Sequence, residues 1–352
     1  MHIVGARPQF IKLAPLLKAW RRDPACPQVV VHSGQHYDYE MSRIFFEQLE
    51  LPEPAYHLAA GSGSHGEQTG RILIALDPVI AAVRPDLVII YGDTNTTLAG
   101  ALAAYQHHLP LAHVEAGLRE HIWRPEEINK KVADHCSHFC FCPTKRAVTN
   151  LRGEGVPDSR IFLSGDITFD AFRISRDLAR ERSAALTNEE GFFLVTLHRA
   201  ETVDRRERLE EIIKALAQLP GHTIFPVHPR TRRNLEQWGL LGLLNDSRIK
   251  GIEPTGYLEF LGLLQYCRLV LTDSGGVIKE GFYAGKPVVV LDETTEYEEL
   301  VNLGVASLAG WDAHRILDAV ERMRAVEFDP IRDPIFGDGR AAERMVEAIE
   351  CG

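Results

Sequence analysis

The chain has 352 residues, 45% of them hydrophobic and 25% charged, a composition that excludes a disordered chain and a fibre. At roughly 100–200 residues per domain, the length points to two domains, each able to bury its own core. A formal net charge of −10 argues against a general affinity for nucleic acid or an anionic membrane, while leaving room for a local anion site.

Short apolar runs and helical patterns alternate along the chain. Met1 leads directly into the first run without a signal peptide, and no later run reaches the ~20 residues of a membrane span. Strands are predicted over His2–Gly5, Val29–Ser33, Asp86–Tyr91, Leu111–Val114, Phe139–Pro143 and Ile161–Ser164. Helices are predicted over Phe10–Trp20, Thr69–Val83, Thr96–His107 and Lys145–Glu154. A join is expected near Asp166–Asp170, where a strand ends and a long charged helix follows. The pattern then repeats, with strands over Phe192–Leu197, Thr223–Val227, Arg248–Ile252, Leu269–Thr272, Pro287–Leu291 and Val305–Leu308. Pro330 and Pro334 interrupt the last stretch before an amphipathic helix over Gly339–Ile349. Runs that are apolar throughout suit strands covered on both faces, so the chain reads as α/β: two doubly wound domains in series. Ligands of such sheets bind beyond the carboxyl ends of the strands, which here predicts a cleft between the two domains.

The polar residues concentrate at those strand ends. Asp273-Ser274-Gly275-Gly276 follows an apolar strand and opens the helix Val277–Ala284. Small residues there admit a phosphate to the helix N-terminus, and Glu280 in the same helix can accept hydrogen bonds from ribose hydroxyls. The same residues also read as an N-cap with glycines for tight packing. Arg7 and Lys12 supply cations for a diphosphate, or serve as surface charges. Asp93 and Glu115 end neighbouring strands, and Glu126 follows Pro125 at a helix start. Carboxylates in different environments suit acid–base work at one carbon; each alone also reads as a helix cap. His198 ends the first strand of the second half, where it can carry positive charge or bond to a neighbouring loop; His228 reads as structural.

Two patterns are rejected. Gly61-Ser62-Gly63-Ser64-His65-Gly66 matches the dinucleotide motif literally, but sits between the second and third predicted strands, so an entrance loop is expected there. Asp134–Cys142 gathers Cys136, Cys140, Cys142, His135 and His138, but with no common zinc spacing. The six cysteines of the chain read as free thiols of a reducing cytoplasm.

Taken together and in order, several segments resemble the non-hydrolysing UDP-N-acetylglucosamine 2-epimerase family. They are Gly5–Leu16, Gly34–Asp38, Gly92–Ala104, His113–Arg119, Arg124–Asn129, Leu197–Thr202, Val227–Thr231 and Thr272–Glu280. The resemblance implies two Rossmann-like domains of the glycosyltransferase B type, with a last helix returning to the first domain. The boundaries it implies are 1–167 plus 335–352 for the domain of the catalytic carboxylates, and 168–334 for the UDP-binding domain. By resemblance, Asp93, Glu115 and Glu126 are the catalytic carboxylates. Arg7, Lys12 and His198 surround the diphosphate, while Ser274, Gly275, Gly276 and Glu280 grip UDP. The family's Arg at the substrate-binding position after Glu-Glu-x-Asn is Lys130 here, which keeps the charge without the bidentate fork. Lys279 replaces the family's usual Glu, and the first strand is shorter than is usual.

The chemistry implied is elimination and re-addition of UDP at C1, with a proton removed from C2 and returned on the other face. It needs no metal or redox cofactor. The expected partner is a UDP-sugar, with no nucleic acid and no membrane, and the protein is expected to be a cytoplasmic homodimer. The alternative is a sister 2-epimerase acting on UDP-2,3-diacetamido-2,3-dideoxy-glucuronate, to which Tyr37-Asp38 and Asp292–Tyr297 look closer. A UDP-sugar glycosyltransferase or a UDP-sugar sensor would not need the three carboxylates. Bacterial members hold a second UDP-N-acetylglucosamine partly through Gln-His-Arg; the matching Gln35-His36-Tyr37 lacks the Arg, which implies weak or absent substrate activation.

Overall fold

The computed structural model describes the chain apart from residues 21–25, 35–45, 121–122, 184–189, 246–247, 333 and 352. The chain divides into two compact units, Met1–Ile174 with Pro334–Gly352, and Ser175–Asp333; the division falls inside the helix Ile167–Ser183. The stretch Gln35-His36-Tyr37 lies outside the described residues.

The first unit is a parallel sheet of seven strands in the order β3-β2-β1-β4-β5-β6-β7. These are β1 His2–Val4, β2 Val30–His32, β3 Tyr56–His57, β4 Val88–Tyr91, β5 Leu111–Val114, β6 Phe139–Cys142 and β7 Ile161–Leu163. The central strands β1, β4 and β5 are buried at every position because helices cover both faces. Strand order reverses between β1 and β4, and at that switch point the loops diverge and leave a crevice.

The two-residue edge strand β3 was not expected, being too short to leave a pattern. The helix after it begins at His65, earlier than the expected Thr69. Ser64 accepts from the Glu67 amide and Glu67 returns a bond to the Ser64 amide, a reciprocal cap that sets its start. The glycine-rich segment expected as an entrance loop is therefore half loop and half helix start.

The closing helix Ala341–Cys351 packs against the helix Arg7–Trp20 within the first unit. Its leading amides, Ala341 and Ala342, donate to the Asp170 carboxylate at 3.1 and 2.8 Å. Burial pushes the Asp170 carboxyl up to about 6; the two amides oppose that shift, and Asp166 and Asp338 add to it.

The second unit repeats the design with six parallel strands in the order β10-β9-β8-β11-β12-β13. They are β8 Phe193–Thr196, β9 Thr223–Pro226, β10 Ile249–Ile252, β11 Leu269–Thr272, β12 Val288–Val290 and β13 Ala306–Leu308. Val195, Ile212, Phe225, Leu271, Val289 and Ile316 meet in its core, and its order reverses between β8 and β11. Among the described residues no helix is long and apolar enough to cross a membrane.

Candidate functional site

In the first unit the site is built where β1, β4 and β5 end. The Gly5 and Ala6 amides donate to Gln9 Oε1 at 2.7 and 3.1 Å, while Gln9 Nε2 donates to the Tyr91 carbonyl at 2.8 Å. One buried side-chain amide thus ties the loop after β1 to the end of β4. Gly5 is required by close approach, since a Cβ there would stand 1.9 Å from Ser33 Oγ.

The helix opened by this loop carries an exposed Arg7 and a buried Lys12. Lys12 Nζ forms an ion pair with Glu115, and both side chains are about nine-tenths buried, at 9% and 11% exposure. Glu115 follows β5 with φ +74°, a left-handed backbone that costs a residue other than glycine on the order of 1–3 kcal/mol. Gly92 runs alongside: a Cβ added there would meet Lys12 Nζ at 3.3 Å and Glu115 Oε2 at 3.4 Å. Asp93 follows, half-buried, and its carbonyl accepts from Asn129 Nδ2 at 2.9 Å. Asn129 belongs to the helix Pro125–Cys136, whose first turn holds Glu126. Lys12, Glu115 and the Gly92–Asp93 backbone are thereby brought together at the switch point, and the helix of Glu126 is bonded to the Asp93 loop. Lys130, expected to bind substrate, is buried and pairs with Glu127 at 2.5 Å.

The second unit assembles the other expected residues at its own switch point. Asp273 is fully buried after β11 and accepts the His198 and Arg199 amides at 3.1 and 2.9 Å. Its carboxylate also lies 3.3 Å from His198 Nδ1, which orients a ring left 42% exposed. His228, expected to be structural, accepts the Arg230 amide and so caps the next helix; its ring stands 5.9 Å from that of His198. Ser274 is the N-cap of the helix Gly275–Tyr283, yet its side chain makes no capping bond. The cap alternative for that hydroxyl is set aside, and Ser274, Gly275 and Gly276 stand at a helix N-terminus suited to an anion. Glu280, one turn further on, is buried. Lys279 is also buried, with its ammonium 5.4 Å above the Tyr297 ring.

Three residues of these two centres were not singled out by sequence reasoning. Gln9 left no signal, since one polar residue in an amphipathic helix is ordinary. Asn129 and Asp273 stood inside quoted segments, but their work is done by side-chain bonds to distant backbone. The side chains of the cysteine-rich segment diverge. Asp134 turns to His113 and Arg119, His135 is exposed, and Cys140 and Cys142 are buried with their thiols pushed well above the ordinary range by burial.

A family description for UDP-N-acetylglucosamine 2-epimerase matches residues 18–350. The chain is 43% identical to the UDP-2,3-diacetamido-2,3-dideoxy-D-glucuronate 2-epimerase of Pseudomonas aeruginosa, over 99% of this chain and 98% of that one. It is 41% identical to the UDP-N-acetylglucosamine 2-epimerase of Methanocaldococcus jannaschii over the same shares. The crystal structure of the Methanocaldococcus jannaschii UDP-GlcNAc 2-epimerase, in complex with UDP-GlcNAc and UDP, superposes with a TM-score of 0.91 at 40% identity, covering 100% of this chain and 99% of that one.

Proposed function

The chain belongs to the UDP-N-acetylglucosamine 2-epimerase family, and from that premise we propose that it interconverts UDP-N-acetylglucosamine and UDP-N-acetylmannosamine without a net redox change. The observation that carries this reading is the buried Lys12–Glu115 pair set against the Gly92–Asp93 backbone. A cation beside a carboxylate at a switch point supports a reaction that expels an anion and moves a proton.

The C2–H of an N-acetylhexosamine is not acidic while C1 holds its phosphate. Cleavage of the C1–O bond, with the electron pair leaving on UDP, makes C1 oxocarbenium-like and the C2 proton removable. Lys12, Arg7 and His198 offset the charge of the departing diphosphate, and a carboxylate takes the proton, leaving a 2-acetamidoglucal. Return of a proton to the opposite face of C2, as UDP adds back to C1, completes the inversion. Asp93, Glu115 and Glu126 are the groups assigned to these transfers, while Ser274, Gly275, Gly276, Glu280 and Lys130 hold the UDP-sugar.

A second reading rests on the 43% identity to the diacetamido-glucuronate epimerase, which is no lower than that to the UDP-N-acetylglucosamine enzyme. Turnover of each UDP-sugar, followed by proton NMR of the C1 and C2 signals, separates the two. Conversion of UDP-N-acetylglucosamine is expected; conversion of the diacetamido-glucuronate nucleotide alone transfers the reading to the sister enzyme. A cytoplasmic homodimer completes the proposal. Ile74 and Tyr105 support it, standing 76% and 61% exposed on packed neighbouring helices of the first unit, and sedimentation velocity tests it.

A further inference from the structure

Asp134 is fully buried in the first unit, and the proton chemistry above makes no use of it. Its Oδ1 lies 2.6 Å from His113 Nδ1, and its Oδ2 accepts from Arg119 Nη2 at 2.6 Å and from the Gly117 amide at 3.3 Å. The other nitrogen of the same ring, His113 Nε2, lies 2.7 Å from the Gly92 carbonyl oxygen. A carbonyl oxygen only accepts, so Nε2 carries a proton. An ionised carboxylate also only accepts, so Nδ1 carries one too.

Arg119 reaches both the buried Asp134 and Glu154, whose side chain is 26% exposed and also faces Lys131. The Asp134 carboxylate faces the Arg119 guanidinium and the Gly117 amide, two donors apart from the ring, at 2.6 and 3.3 Å. The nearby thiols of Cys140 and Cys142 stay protonated, because burial raises them.

The two backbone groups held by this pair flank the reacting carboxylates. Gly92 immediately precedes Asp93. His113 and Gly117 stand on either side of Glu115, whose left-handed backbone persists only where its surroundings over-determine it. We propose that Asp134 and His113 form a buried carboxylate–imidazolium pair that acts as the positioning element for proton transfer, fixing the Gly92 peptide and the Glu115–Gly117 turn so that Asp93 and Glu115 keep one relative geometry. The kinetic part rests on the epimerase reading; the double protonation of His113 does not.

The test uses the full-length enzyme labelled with 15N-histidine, with Asp134→Asn and His113→Gln as variants. Two-bond proton–nitrogen correlations should show one ring, absent in His113→Gln, with both nitrogens protonated. Asp134→Asn should turn that ring into a singly protonated one. In the same variant kcat should fall about 10–100-fold with KM and UDP affinity nearly unchanged, because a small misplacement of reacting groups costs rate and not ground-state binding. A singly protonated ring in the wild type overturns the pair, as does an Asp134→Asn enzyme with wild-type kcat or with a change confined to KM. If His113→Gln does not fold, the ring is identified instead by its response to Asp134→Asn. Wild-type inactivity on both UDP-sugars overturns the functional reading, and the proposal then stands or falls on the ring spectrum.

Discussion

Asp170 gives the most quantitative prediction. Its carboxyl is pushed up from 3.8 to about 6, chiefly by burial, so between those values the folded chain holds a proton that the unfolded chain has released. Stability rises with pH where the unfolded state binds more protons; here the folded state binds more, so this contribution falls as pH rises from 3.8 to 6 and stays low above. A gap of roughly two pH units corresponds to about 3 kcal/mol. Asp170→Asn removes the titration while keeping one acceptor for the Ala341 and Ala342 amides. About 2 kcal/mol of that gap falls between pH 4 and pH 7, because the unfolded carboxyl is already more than half ionised at pH 4, and the stability of the wild type relative to Asp170→Asn should drop by that much, whatever the offset between the two proteins. Urea unfolding followed by circular dichroism measures it, fitted to two transitions because the units need not unfold together. A difference that is flat with pH, or that grows as pH rises, would mean that the two amide bonds outweigh burial.

Three further outcomes are expected. Reaction in D₂O should place deuterium at C2 of the product, and Glu126→Gln or Asp93→Asn should slow turnover on the order of 10²–10⁴-fold while UDP still binds; epimerisation without solvent label refutes elimination. Because Cys140 and Cys142 are buried and the polar groups of their segment point elsewhere, elemental analysis should find no stoichiometric zinc and EDTA should leave the rate unchanged. Where Gln35-His36-Tyr37 lacks an Arg, a second nucleotide-sugar site loses ~1.5–3 kcal/mol of charge-assisted contact, and initial rates should be hyperbolic in substrate; a sigmoidal curve, or a reverse reaction dependent on added UDP-N-acetylglucosamine, counts against that.

The strands of both sheets were legible because two-sided burial leaves runs with no polar interruption, as in Val88–Tyr91 and Leu269–Thr272. Helix starts were less so. The helix expected from Thr69 starts at His65, where the reciprocal Ser64–Glu67 cap sets its beginning. Of the site, the residues at strand ends could be read as candidates, since topology puts every such residue at one edge. What joins them could not. Gln9 to Tyr91, Asn129 to Asp93 and Asp273 to His198 are bonds across long sequence separations, and no local spacing encodes them. Lys130 differs: its ion pair with Glu127 is an i,i+3 pair within one helix, which local spacing does encode.

The first unit is interrupted on the chain by the whole of the second, and this orders its making. A ribosome delivers Met1–Ile174 first, yet the helix that caps against Asp170 and covers Arg7–Trp20 emerges only after Ser175–Asp333 is complete. At ~5–20 residues per second that delay is on the order of ten to thirty seconds, during which the newborn unit carries an uncovered apolar face that chaperones can recognise. The helix that remains uncovered is the one that bears Lys12. A chain released before Ala341–Cys351 therefore lacks support behind one half of the Lys12–Glu115 pair, so the site is finished only once that helix has been read.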